Sequence, residues 1–284
     1  MSDPTVATVY TPSSQMRSPL QLFRSIWEGI WESRELSWRL FLRDLSAQYR
    51  QSMFGVLWAF APPIVTGAIF IALRSSSVVN LGETDIPYPV FALVGTMLWQ
   101  LFTDSLNAPL KSATAAKSLM AKVHFPHEAL IVSAFLMSMF NFLVKSILIV
   151  GILLIFGMPF HWALAAAPIL LLSLVLLGIC IGVLITPIGM LYTDVASALP
   201  IVTQLLFFLT PVVYPPPQSF PFSLVTTVNV VSPLLIASRD LITKGTIANA
   251  LPAAVIGGGV IVGLVVALVI FRIAVPIIIE RISA

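Results

Sequence analysis

The sequence predicts an all-α membrane protein: six transmembrane helices, an N-terminal amphipathic interface helix, and a re-entrant outer hairpin between spans five and six. Three observations predict it. Only 10% of the 284 residues are charged and 58% are hydrophobic, whereas a soluble domain carries about 25% charged residues. Several charge-free runs reach about 18 residues or more, enough to cross a hydrocarbon core of about 30 Å. After the fifth run comes a proline-rich stretch, 210–245, that is charge-free until Arg239 and greasier than a loop in water. A soluble fold with a mean hydropathy of +1.00 would leave too little polar surface to cover its core.

The first 16 residues are polar and lack the apolar centre of a signal peptide, so residues 1–19 are expected to form a flexible cytoplasmic tail. Residues 20–50 read as one amphipathic helix. Phe23, Ile26, Trp27, Ile30 and Trp31 recur at helical spacing, and Trp38, Phe41, Leu42, Leu45 and Tyr49 continue the phase. Arg24, Glu28, Glu32, Glu35, Arg39, Arg43 and Asp44 occupy the other face. Aromatics opposite charges describe a helix in the membrane interface; the alternative is a helix packed on a partner protein. The six-span domain then fills 51–284. Its spans are expected at about 53–73, 87–106, 129–156, 162–188, 195–212 and 247–271, with Gly157–His161 turning the chain between the third and fourth. Pro62 and Pro63 fall near the middle of span one, where two missing backbone donors predict a kink. A straight helix from Leu36 to Leu73 would contradict this. Pro211, Pro215, Pro216, Pro217, Pro221 and Pro233 forbid one continuous helix across the outer segment 213–245. Short apolar pieces of this kind read as re-entrant or interfacial.

Charge sets the orientation. Eleven Lys and Arg residues fall on the side of the two termini and three on the other, which places both termini in the cytoplasm. The net charge of +3 therefore reports topology, and no nucleic-acid partner is expected. Two charges lie within spans. Asp104 is expected near the cytoplasmic end of span two and Lys145 in the outer half of span three, so the two are not expected to pair.

The absent chemistry is equally informative. No G-x-x-x-x-G-K-[ST] loop is present to cradle a nucleotide. His124, His127 and Glu128 straddle a proline without a third suitable ligand, so no metal site is expected. No Ser or Cys occupies a nucleophile elbow. A single cysteine, Cys180, allows no disulfide within the chain. No catalytic residue and no cofactor is expected in this chain, and two intramembrane charges are too few for a proton relay. The loop 111–128 is Ala-rich with lysines at 111, 117 and 122, and reads either as a docking helix for a cytoplasmic partner or as a basic loop that fixes topology.

Tyr49, Arg50, Ser52, Gly55, Leu57, Trp58 and Pro62, following an amphipathic helix, resemble the membrane (permease) subunit of ABC-2 type polysaccharide exporters, the family that moves O-antigen, teichoic acid or capsule chains. The proline-rich Pro211–Pro215 and the basic loop agree with that resemblance. Two positions depart from the family: Ser232-Pro233 replaces a frequent Asn-Pro, and Thr193-Asp194 replaces a frequent Arg-Asp. The resemblance implies a homodimer with two separate nucleotide-binding subunits that hold ATP and Mg, exporting a lipid-linked polysaccharide across the bacterial inner membrane. It implies coupling through Lys111, Lys117, Lys122 and His124, with a second contact at Tyr192 and Asp194. Tyr49, Arg50, Gly55 and Pro62 would form an interface and gate motif. A sugar chain needs a wet path with aromatic faces, for which Trp58, Phe70, Trp99, Phe102, Phe207 and Tyr214 are candidates; each is equally suited to face lipid. Two alternatives stand: an ABC-2 type drug or lipid exporter, and an ATP-independent channel or scaffold.

Overall fold

The structure, a computed structural model, describes residues 28–50, 53–76, 82–120, 126–217, 219–220, 222–248 and 250–283. Among these residues every regular element is helical. In chain order they are α1 (Arg34–Tyr49), α2 (Ala61–Ser75), α3 (Tyr88–Ala115), α4 (Lys117–Met120), α5 (Glu128–Ile155), α6 (Ala167–Leu191), α7 (Thr193–Leu209), α8 (Phe222–Val228), α9 (Val231–Lys244) and α10 (Ala250–Ser283). Short 3₁₀ turns precede α2 (Gly55–Ala59) and α6 (Trp162–Ala166).

α3 runs through the middle of the bundle between α5 and α6, and α10 covers the far side of α6. The α3–α6 pair sits close because α6 presents glycines to it. A Cβ on Gly178 would lie 2.6 Å from the Phe102 carbonyl oxygen, and one on Gly182 would lie 2.3 Å from that of Leu106. With no solvent to drive apolar helices together in lipid, such small-residue contact is what holds them. Both helices also carry an internal proline near that contact, Pro109 in α3 and Pro187 in α6.

Two ends of the bundle are defined by contacts. At the lower end Lys117 donates to the Met190 carbonyl (3.3 Å), and Arg272 of α10 pairs with Glu128 of α5 (3.0 Å). At the upper end the Tyr88 hydroxyl donates to the Val213 carbonyl (3.0 Å), and Lys244 pairs with Asp85 (2.7 Å). Among the described residues three helical stretches are long and apolar enough to cross a membrane: Glu128–Ile155, Trp162–Leu191 and Ala250–Ile278. α3 has 28 residues but carries a polar stripe; α2 and α7 have 15 and 17 residues.

Several expectations are adjusted. The helix of span one begins at Ala61, not near 53, and Pro62 and Pro63 occupy its first turn. Proline is tolerated there because those N–H groups have no intrahelical acceptor, so the pair starts a helix instead of kinking one. The break from α1 lies upstream, where Gly55 takes φ +51° with open space around its missing Cβ. Its role is the turn. No helix runs straight from Leu36 to Leu73. Of the amphipathic helix, residues 20–27 lie outside the described residues. Its remainder packs on α5 of the same chain through Ser37, Leu40 and Phe41, while Trp31 and Trp38 stay exposed. The apolar stripe read from sequence is therefore split between an internal contact and an outward face.

The outer segment is more helical than its prolines suggested. Pro211 and Pro215–Pro217 lie in the irregular stretch after α7, and Pro233 falls in the first turn of α9. Asn229 makes the break between α8 and α9. Its Oδ1 accepts from the Val231 N–H (3.0 Å) and its Nδ2 donates to Thr210 Oγ1 (2.7 Å). α9 is buried along most of its length against α6, α10 and α3.

Candidate functional site

The polar face of α3 organises the site. Thr96, Gln100, Thr103 and Asn107 follow one another at i, i+4, i+7 and i+11, one stripe of a helix. Lys111 extends it one turn further. Gln100 and Asn107 are shared by two grooves. The larger, about 890 Å³, lies between α3, α5, the end of α1 and the start of α2; Tyr49, Trp58, Pro62, Asn141 and Lys145 contribute to it. The smaller, about 410 Å³, lies between α2, α3 and α7, with Thr66, Trp99, Thr203, Gln204 and Phe207 on its walls. Through these shared residues the two grooves form one track of amides and hydroxyls on successive turns of α3.

Asp104 and Lys145 do pair: the Lys145 ammonium donates to the Asp104 carboxylate inside the larger groove. This overturns the expectation that they sit at separate depths. α3 continues to Ala115, so Asp104 is 11 residues above its lower end, while Lys145 is 17 residues above the start of α5. The remaining six residues amount to about 9 Å. Side chains lean toward the N-terminus of their own helix. In these antiparallel helices Asp104 therefore leans up and Lys145 leans down, which closes the gap. Lys145 is buried, whereas the Asp104 side chain is 42% exposed to the groove. Tyr49 stands nearby, its phenol pushed up by burial first and by the Asp104 charge second. Its ring meets Phe140 at 6.3 Å. Arg50 closes α1, its N–H donating to the Ser46 carbonyl, and is exposed.

The aromatic candidates divide. Trp58 is exposed at the larger groove. Trp99 and Phe207 wall the smaller one, their rings 5.9 Å apart; Phe70 packs on Phe207 at 5.9 Å and Phe102 on Trp99 at 5.5 Å. Phe102 is 1% exposed and belongs to the core. Tyr214 lies past α7, away from both grooves, with its hydroxyl donating to the Phe208 carbonyl (2.7 Å).

At the lower end the structure brings the two expected coupling patches together. Lys117 opens α4, and its bond to Met190 holds it beside the α6–α7 junction, where Tyr192 alone separates two helices and Asp194 is exposed in the first turn of α7. Ala116, just before α4, and Met120, its last residue, are buried. Lys111 lies on α3, not in a loop, and faces the larger groove. Lys122 and His124 lie outside the described residues. Glu128 is engaged with Arg272, and no cluster fit for a metal occurs among the described residues.

The residue that sequence reading passed over is Arg239. Counted there as an outer-loop charge, it is 2% exposed. Its Nη1 donates to the Pro211 and Val212 carbonyls (3.0 and 3.1 Å), and its guanidinium lies 3.7 Å over Phe91. It pins the turn after α7 onto α3 and α9. The available signal was a lone arginine in an apolar, proline-flanked stretch.

Residues 35–243 match the ABC-2 type transporter family. The chain belongs to that family. It is 26% identical, over 211 residues, to the O-antigen export system permease protein RfbA of Klebsiella pneumoniae, covering 72% of this chain and 79% of that one. It is 25% identical, over 186 residues, to the RfbA permease of Myxococcus xanthus, covering 66% and 70%. As an ABC-2 type permease the chain is a multi-pass transport subunit, and the family implies partnership with nucleotide-binding ABC subunits.

Proposed function

We propose that this ABC-2 permease is the transmembrane subunit of an ATP-driven exporter for a lipid-linked polysaccharide of O-antigen, teichoic acid or capsule type. The observation that carries the reading is the α3 stripe of Thr96, Gln100, Thr103 and Asn107, flanked by Trp58, Trp99 and Phe207. Sugar hydroxyls both donate and accept, as amides and hydroxyls do, and sugar faces stack on aromatic rings. A drug or lipid path would be lined by apolar side chains instead. The names of the Klebsiella and Myxococcus relatives support the glycan.

In this reading two copies form a homodimer in the bacterial inner membrane. α2, α3, α5, α6, α7 and α10 make six spans, both termini are cytoplasmic, and α8–α9 form the re-entrant outer hairpin. ATP and Mg belong to two partner subunits that press on α4 and the Tyr192–Asp194 turn. Their motion would pass through α3 and α6 to the grooves and to the gate formed by Tyr49, Arg50, Gly55 and Pro62. The test is surface glycan in a strain lacking this gene, complemented with the wild-type chain or with Gln100→Leu. Loss on deletion, recovery with the wild type and poor recovery with the variant support the reading. Unchanged surface polysaccharide on deletion would sink it.

A further inference from the structure

A third cavity, about 630 Å³, opens at the upper end between the loop 82–87, the stretch before α8, and α9. It belongs to neither groove of the track. Its volume falls within the range of small-molecule sites, about 300–1,000 Å³. Its lining includes Arg239, Glu83, Asp240 and Lys244 together with the hydroxyl-bearing residues Thr226, Thr227 and Thr243.

Two features distinguish it from an ordinary solvated crevice. Arg239 is a nearly fully buried cation that makes no ion pair among the described residues, and its Nε has no hydrogen-bond partner. Its contacts are two carbonyls and a ring face, with the Asp240 carboxylate as a neighbouring charge and no direct ion pair, which leaves the buried guanidinium under-compensated. The rim is also fixed in place. Lys244 bridges Asp85 and Asp240 at 2.7 and 3.2 Å, and Arg74 donates to Thr84 (3.1 Å), so the loop is tied to α9 and to α2.

We propose that this cavity is a carbohydrate-binding subsite that receives a short stretch of neutral glycan as it leaves the track. This rests on the polysaccharide reading and adds a site to it. The chemistry is the alternation of charge. Carboxylates at Glu83 and Asp240 accept from sugar hydroxyls, while Arg239 and Lys244 donate to hydroxyl oxygens. Vicinal hydroxyls need both kinds of partner at once. A purely anionic ligand is disfavoured because three carboxylates, those of Glu83, Asp85 and Asp240, stand around two cations. A purely cationic ligand is disfavoured by Arg239 and Lys244.

The test uses the full chain in lipid nanodiscs with its nucleotide-binding partner. The probe is surface polysaccharide of the source strain, freed from lipid by mild acid and cut to short oligomers; inorganic phosphate and glucuronate serve as anionic probes. Binding is read by saturation-transfer NMR. The double variant Glu83→Gln with Asp240→Asn should weaken oligomer binding by about tenfold or more, as expected when charge-assisted hydrogen bonds become neutral ones. Thr227→Val, a milder change at an exposed rim position, should weaken it by a smaller factor. Gln100→Leu in the track should leave oligomer binding at the cavity intact while lowering export. Equal oligomer affinity in wild type and both rim variants would overturn the subsite, as would tighter binding of phosphate or glucuronate than of a neutral oligomer. Either result leaves the export reading standing, since that reading falls only if deletion leaves the surface polysaccharide unchanged.

Discussion

Removing the two members of the Asp104–Lys145 pair one at a time should have unequal consequences. Asp104→Asn leaves an ammonium that is 3% exposed without its counter-charge. Stranding one partner of a buried pair costs about 3–5 kcal/mol. Lys145→Met leaves a carboxylate whose side chain is 42% exposed to the groove; water solvates it, and the cost should be nearer about 1 kcal/mol. The double variant removes both charges and should recover most of the loss, because a buried pair contributes little net stability over apolar residues of similar volume. The assay is thermal unfolding of the purified chain in one detergent. Taking about 2–4 °C per kcal/mol for a chain of this size, Asp104→Asn should lower Tm by about 6–20 °C and Lys145→Met by about 2–4 °C. A larger loss for Lys145→Met than for Asp104→Asn, or a double variant no better than Asp104→Asn, would refute the asymmetry of burial on which the prediction rests.

Three further outcomes are expected. Gly182→Leu drives a side chain into the Leu106 carbonyl, and overpacking of this kind should cost at least about 1–3 kcal/mol, visible as a lower Tm, whereas Gly258→Ala, with open space around it, should leave Tm unchanged. Asn107→Leu should reduce glycan export in cells by about tenfold, the worth of one hydrogen bond to the sugar, without lowering Tm; an unaltered export rate would remove Asn107 from the path. The Asp85 carboxyl is held below its ordinary range by its hydrogen bond to Lys244 and then by that charge. A depressed carboxylate contributes stability above its unfolded value and loses it as pH falls through the folded one. Acidification below about pH 3.9 should therefore lower Tm less in Asp85→Asn than in the wild-type chain; an identical fall in both would count against the pair.

The long apolar helices were legible because α5, α6 and α10 announce themselves by length and charge alone. Detail was lost where one residue type can serve two local structures. A Pro-Pro pair kinks a helix from its middle but starts one from its first turn, and only the position of the turn at Gly55 decides between them. Asp104 was placed too low because span two was ended at Leu106, where the hydrocarbon estimate stops, although α3 continues on protein contacts to Ala115. The α3 stripe was visible in principle, since Thr96, Gln100, Thr103 and Asn107 share a helical phase, but each alone reads as a tolerated polar residue. Arg239 was legible only as an oddity, a lone arginine in an apolar, proline-flanked stretch; its carbonyl partners lie 27 and 28 residues away in the sequence, so its role in pinning the turn was not.

Pro109 and Pro187 bear on how force travels. Each proline leaves the carbonyl four residues before it without its helical donor, Ser105 on α3 and Val183 on α6. The two lie on the most closely packed helices of the bundle and near the same level, since a Cβ on Gly182 would sit 3.1 Å from Pro109 Cδ. The shafts that join the lower end to the grooves are thus each softened at the level of the lower part of the polar stripe. Mechanically this is a compliant coupling in series with two rigid rods. A displacement applied at α4 is spent first on bending at that level, so the lower end can rock through an angle before the track above it changes width.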